Sequence, residues 1–273
     1  MNADQAHSFS SNAMNTDFHI AIADITQKYA GQAALNAFME LESVERFLSS
    51  YIESSDISQI NSLSRGEHAV VSPVTFECLE IAEMIRRQTD GVFDAAYRSR
   101  SRRPLKDLIT LDRDNLTVRV NSDVVELDLG GIGKGFGLDR MADLLQEWGI
   151  KSYLLRASYS TALAGAAPLG AKGWDAGFGS AENRQEVWLE NKAISGSGVE
   201  MQGEHIFDAR TGGATGRYRS WAVAESGAVA DALSTAFMIM EKEDIRRHLR
   251  KHRSRSAWIQ ETPDTEIVSL LIE

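Results

Sequence analysis

The sequence holds one cysteine, four prolines and fewer basic than acidic residues, and each shortage closes a class of protein. Cys78 cannot form an internal disulfide, and with no second cysteine and no Cys/His spacing it makes no zinc signature. It falls in an apolar helical pattern and reads as an inert core thiol. Lysine and arginine number 29 against 39 aspartates and glutamates, a net charge of −10 at pH 7. That balance disfavours electrostatic capture of nucleic acid or of an anionic membrane surface. No apolar run approaches the roughly 18 to 20 residues of a membrane helix, so no transmembrane segment is expected. Met1 to Ser11 are polar and lack both an apolar stretch and a lipid-bearing cysteine, so neither export signal nor lipobox is expected, which by absence suggests a cytoplasmic location.

What remains is an ordinary globular mixture: 273 residues, 43% hydrophobic and 25% charged, enough chain for a large core. Phe9-Ser10 and Phe18 to Ile20 read as strand. Apolar residues at helical spacing from Gln27 to Tyr51 predict a long amphipathic helix. Ser72-Pro73 reads as an N-cap followed by proline at the first helical position, with the helix stopped at Gly91. Leu116 to Val120 and Val124 to Leu129 read as the arms of a hairpin turning at Asn121-Ser122-Asp123. A helix closed by Gly149 follows a glycine cluster. Short strands are expected near 152–155, 162–164, 174–178, 187–189, 205–207, 221–224, 256–259 and 267–272, with helices over 227–240 and 242–251. Strands and helices do not alternate strictly, so the expected class is α+β with a largely antiparallel sheet, one domain over 1–273.

Five stretches are candidates for chemical content. Leu127 to Gly137, LDLGGIGKGFG, puts five glycines between a strand and a helix. Such a turn suits close backbone approach to a phosphate, or merely a tight crossing. Neither the Walker spacing nor the dinucleotide fingerprint fits it. Asp231 and Thr235, four apart on a helix, form a small oxygen cluster of the type Mg²⁺ or Ca²⁺ prefers; a capping or dipole role for Asp231 is the alternative. His205, at the edge of a strand that ends in the turn of Asp208, Arg210 and Thr211, could move a proton near a phosphate, or belong to a plain surface strand with a turn. Asp56 reads as an N-cap, and the run Arg98, Arg100, Arg102, Arg103, Lys106 as a solvated loop or a docking patch for phosphate.

Taken in order, these pieces resemble the ApbE family, FAD:protein FMN transferases. The resemblance covers Ala13 to Thr16, Ser55 to Asn61, Gly91 to Asp94, Leu127 to Phe136, Ser195 to Gly198, His205 to Gly212 and Ala230 to Ala236. It implies an α+β, T-fold-like architecture of mostly antiparallel sheets packed with helices. It implies an enzyme that uses FAD and Mg²⁺ to attach FMN to a Ser or Thr hydroxyl of an acceptor flavoprotein, releasing AMP. Carried over by position, Gly133, Asp231 and Thr235 would hold the metal. Met14, Phe93, Asp94, Gly130, Phe136 and Ile206 would lie in the flavin site, and His205 would be catalytic. Members of the family are commonly periplasmic. An FAD diphosphatase and a non-catalytic flavin-binding or interaction module are the alternatives on the same fold.

The chain also departs from the family pattern. Arg156 to Tyr159 stand where the family carries a Gly-Gly-Asp or Gly-Gly-Asn turn, placing side chains where glycine would admit a ligand. Ala95 and Ala209 replace prolines, Gly196 replaces a common threonine, and the segment from Phe93 to Asp128 is short.

Overall fold

In a computed structural model, the structure describes residues 6–99, 104–180, 183–199 and 216–270. The chain opens with β1 (His7–Ala13) and β2 (Thr16–Ile22), paired antiparallel so that Ala13 faces Thr16. The two turn residues, Met14 and Asn15, both adopt left-handed φ, 49° and 56°, the conformation a two-residue hairpin demands. Alternation sends Phe18, Ile20 and Ile22 inward. Helix α1 (Gln27–Leu48) buries Ala30, Ala33, Ala34, Ala37, Leu41, Val44 and Leu48, a stripe of mainly small residues that lets neighbouring helices approach closely.

Next come α2 (Asp56–Ser62), β3 (His68–Val70), α3 (Pro73–Gln88), α4 (Leu105–Leu108), β4 (Ile109–Asp112) and β5 (Thr117–Val120). Ser72 caps α3 by accepting the Thr75 N–H, with proline at the first position as expected. The cap of α2 is Ser55, which accepts the Ser58 N–H, and not Asp56. Asp56 instead accepts the Ser72 N–H and the Thr75 hydroxyl, tying α2 to the start of α3.

The expected hairpin is corrected. β5 pairs with β4 on one side and β3 on the other, and the hairpin turn is 113–116, where Asp112 accepts the N–H groups of Asp114 and Asn115. Residues 124–129 form no strand because side chains take up their backbone. The Asn61 amide donates to the Leu127 carbonyl and accepts its N–H, while the Ser99 hydroxyl accepts the Glu126 N–H.

The remaining elements are α5 (Gly133–Glu147), β6 (Tyr153–Ala157), β7 (Thr161–Ala164), β8 (Trp174–Asp175), β9 (Trp188–Leu189), β10 (Lys192–Gly198), β11 (Arg219–Ala224), α6 (Gly227–Phe237), α7 (Lys242–Lys251), β12 (Ser256–Gln260) and β13 (Val268–Ser269). Eight strands form one sheet in the order β1-β2-β6-β7-β10-β11-β12-β13, antiparallel at every described pairing. The class is α+β. Central strand β10 is not among the expected strands, and the expected strand 205–207 lies outside the described residues.

Period-two alternation divides the sheet into two faces. Leu155, Ala157, Leu163, Ala193, Ala222 and Ala224 join the core beneath α1, α5 and α6. Leu154, Ala162, Ala164, Ile194 and Val223 pack on the opposite face under Trp174, Ala176 and Leu189. Among the described residues, no helix is long and apolar enough to cross a membrane.

Helices α5 and α6 touch backbone to backbone. A Cβ built on Gly135 would run into the Gly227 carbonyl, and one on Gly227 into the Gly135 carbonyl. Gly135→Ala is therefore expected to destabilise the fold by about 1–3 kcal/mol or more, as overpacking against backbone that cannot yield. Gly133→Ala, two residues earlier with open space at the Cβ, should stay within about 1 kcal/mol of wild type. Urea unfolding of both variants checks the contrast.

Candidate functional site

The chemistry concentrates where α5 and α6 begin, over one end of the large sheet. α6 is buried all round except at Thr235, so this is where the helix meets solvent. Asp231 is its fifth residue and only 3% exposed. Ser226 caps the helix, so the capping role offered for Asp231 does not hold. The Asp231 carboxylate faces outward from α6 in two directions. Oδ2 accepts the Gly135 N–H of α5 at 3.0 Å, and Oδ1 accepts the Ser195 hydroxyl at 2.9 Å, with Thr161 Oγ1 at 3.4 Å. The Lys134 ammonium stands 3.9 Å from Oδ2.

The sheet supplies the hydroxyls by alternation. On the face toward α6, β10 presents Ser195 and Ser197, β7 presents Thr161 and β11 presents Ser220. Ser197 Oγ lies 2.9 Å from Ser234 Oγ and 3.3 Å from Thr235 Oγ1. Gly196 between them faces the other way, and a Cβ there would meet the Trp221 indole at 2.7 Å. Trp221 thus accounts for a glycine where the resemblance expects threonine. Its ring stacks on Phe178 at 4.5 Å between centroids, under the outer layer.

The glycine-rich turn closes the site from the α5 side. A Cβ on Gly131 would touch both the Phe93 ring and Thr235 Oγ1 at 3.3 Å, so the glycine-rich turn, Phe93 and Thr235 lie side by side. Gly133 begins α5 with nothing within 4 Å of its Cβ position, between Gly131 beside Thr235 and Gly135 beside Asp231. Gly130 is exposed, its N–H held by Asp128 Oδ1. The other Asp128 oxygen accepts the Tyr97 hydroxyl and pairs with Arg98 at 2.9 Å. Arg98 is therefore anchored under the turn and not freely solvated; Arg100, Arg102 and Arg103 lie outside the described residues.

Other expected residues sit differently. Met14 is half-buried at the β1–β2 turn, its methyl group 3.4 Å from the Cβ position of Gly137. Phe136 is 1% exposed and belongs to the core. Asp94 is buried with both oxygens on backbone, accepting the N–H groups of Ala96 and Leu105; burial raises its pKa above the ordinary value. It braces the loop before α4. His205 and Ile206 lie outside the described residues.

Arg156 does not crowd the site. It points to the outer face, where it donates to the Asp175 carbonyl at 2.6 Å, and Ala157 is buried in the core. Of that altered loop, only Ser158 and Tyr159 stand at the turn.

Among the described residues, no three of His, Cys, Asp and Glu are grouped so that they could hold a metal ion. A metal here must be held by one carboxylate plus neutral oxygens. Asp231, Thr235 and the Gly133 carbonyl are hard oxygen donors of that kind. A buried carboxylate whose neighbouring cation is a lysine at 3.9 Å leaves room in its charge balance for a divalent ion, so the residues present fit one.

Residues 14–259 match the ApbE family. The chain belongs to the ApbE family, a family of flavin transferase enzymes. An FAD:protein FMN transferase of Vibrio cholerae is 28% identical over 242 residues, covering 74% of this chain and 72% of that protein. A mutant form of the flavin transferase ApbE of Vibrio cholerae superposes with a TM-score of 0.82 at 20% identity, covering 97% of this chain and 96% of that one. The apo form of the Pseudomonas stutzeri flavinyl transferase ApbE gives 0.80 at 19% identity, covering 97% and 94%. An ApbE protein of Thermotoga maritima gives 0.79 at 22% identity, covering 93% and 94%.

Neither composition nor motif singles out Thr161 and Asp139, and the resemblance covers Ser195 and Ser197 without giving either a role. The alternation of Ser195-Gly196-Ser197 carries the signal, because period two places both serines on one face. Asp139 of α5 accepts the N–H groups of Gly227 and Ala228 at 2.6 and 2.8 Å, holding the start of α6. Burial raises its pKa from 3.8 to about 7 against the pull of those two bonds. Folding thus favours its protonated form. Its contribution to stability is full below pH 3.8 and is lost as pH rises through about 7. Relative to wild type, Asp139→Asn should gain stability between about pH 4 and about pH 8; parallel unfolding curves at the two pH values would remove this assignment.

Proposed function

We propose that this ApbE-family chain is an FAD:protein FMN transferase that works with Mg²⁺, modifies a Ser or Thr hydroxyl of an acceptor flavoprotein and releases AMP. The observation that carries the reading is Asp231. A buried carboxylate is held by Ser195 and by the first turn of α5, beside the one point where α6 meets solvent. Gly133, Asp231 and Thr235 would hold the metal. When bound, it would offset negative charge growing on the phosphate oxygens during displacement.

The chain's own groups supply the rest. The start of α5, with its open Gly133 and the Lys134 ammonium, offers positive potential to a diphosphate. Gly130, Gly131 and Phe93 would border the flavin moiety, with Met14 at the hairpin turn. In the reaction, the acceptor hydroxyl oxygen bonds to the phosphorus on the riboflavin side and the bridging P–O bond breaks. AMP leaves with the bridging oxygen, and His205 is proposed to take the hydroxyl proton.

Incubation with FAD, Mg²⁺ and a flavoprotein acceptor should raise the acceptor's mass by one FMN group and leave AMP in solution. Free FMN and AMP formed without acceptor would indicate a diphosphatase instead. His205→Gln should slow transfer by roughly 10²- to 10⁴-fold with a smaller effect on FAD affinity. Asp231→Asn keeps the side-chain shape and should abolish the response to Mg²⁺. An unchanged Mg²⁺ response in that variant would exclude the metal assignment.

A further inference from the structure

The turn joining β6 to β7 holds the most exposed large hydrophobic side chain of the described residues: Tyr159, 98% exposed. Single exposed aromatics are ordinary on protein surfaces. Two features set this one apart. The turn beneath it is pinned on three sides: Ser158 N–H donates to the Asp17 carbonyl at 2.7 Å, Ser160 N–H to the Ala157 carbonyl at 3.3 Å, and Gly196 N–H to the Ser160 carbonyl at 2.7 Å. Ser158 takes a left-handed φ of 50°, a conformation unfavourable for a non-glycine residue that the three bonds hold in place.

The turn also sits at the rim of the site. Two residues on, Thr161 reaches the Asp231 carboxylate, and Gly196, which bonds the turn, is flanked by Ser195 and Ser197. On its other side the register pairs Phe18 with Ala157, which brings the turn level with the start of β2 beside Met14. We infer that Tyr159 is a stacking platform for a planar ring of the bound dinucleotide, a contact made in this chain by the exposed side chain of the turn. This rests on the transferase reading, since FAD is what brings planar rings to the rim. A ring held on a braced turn loses little freedom when it stacks, so the contact adds affinity and not fold stability.

The test is FAD titration of wild type, Tyr159→Ala, Tyr159→Phe and Tyr159→Trp, followed by flavin fluorescence, with FMN and ADP titrated separately. Tyr159→Ala should weaken FAD binding by about tenfold, the order of one aromatic stacking contact. Tyr159→Phe and Tyr159→Trp should bind within about twofold of wild type, and thermal unfolding should be unchanged in all three. Loss confined to FMN assigns the flavin ring; loss confined to ADP assigns the adenine. Equal FAD affinity in wild type and Tyr159→Ala overturns the inference alone, and a loss seen solely in the KM for the acceptor overturns it in favour of acceptor contact. No FAD binding by wild type overturns this inference and the transferase reading together.

Discussion

Two helices start at the same place and each shields the amides of the other. α5 carries Asp139, which receives the first N–H groups of α6, and α6 carries Asp231, which receives the Gly135 N–H of α5. Helix starts leave N–H groups without intrahelical partners, so bringing two together under burial requires side-chain acceptors for those groups. The reciprocal carboxyl groups of Asp139 and Asp231 meet that requirement. The close approach at Gly135 and Gly227 is what makes both bonds reachable, and any Cβ at the contact would push the helices apart.

The rest of the site depends on this crossing. It turns Asp231 toward the sheet, where alternation has already placed Thr161, Ser195, Ser197 and Ser220 on one face. It brings Thr235 beside Gly131 and Phe93. The outer face takes up the chain's departures from its family pattern. Trp221 fills the space above Gly196, and Arg156 turns to the Asp175 carbonyl behind the sheet, so these substitutions leave the hydroxyl face clear. Tyr159 alone of that loop reaches the rim exposed.

Much of the fold is legible in local pattern. The long spacing of α1, the Ser72-Pro73 start of α3 and the charged helix α7 depend on residues close in sequence, and the structure keeps all three. The hairpin expected over 116–129 fails because a side chain 66 residues away, Asn61, occupies the Leu127 backbone. Strand β10 escapes the sequence pattern because Ser195-Gly196-Ser197-Gly198 has no apolar alternation of its own; its place in the sheet comes from β7 and β11 on either side.

The site divides along the same line. The glycine-rich turn and the Asp231–Thr235 spacing are readable because they are local: five glycines in one stretch, and two oxygen side chains one helical turn apart. Which residues face them is settled by pairing register and helix crossing, contacts between segments tens of residues apart. By itself the sequence determined the family pattern, the acidic balance and the starts of α1, α3 and α7, since those follow from composition and near-neighbour spacing. Only the tertiary structure decided that Asp231 binds a foreign helix and not its own start, that Asp94 braces a loop and that Arg156 faces away, because a side chain's partner is set by what long-range packing brings within hydrogen-bond reach.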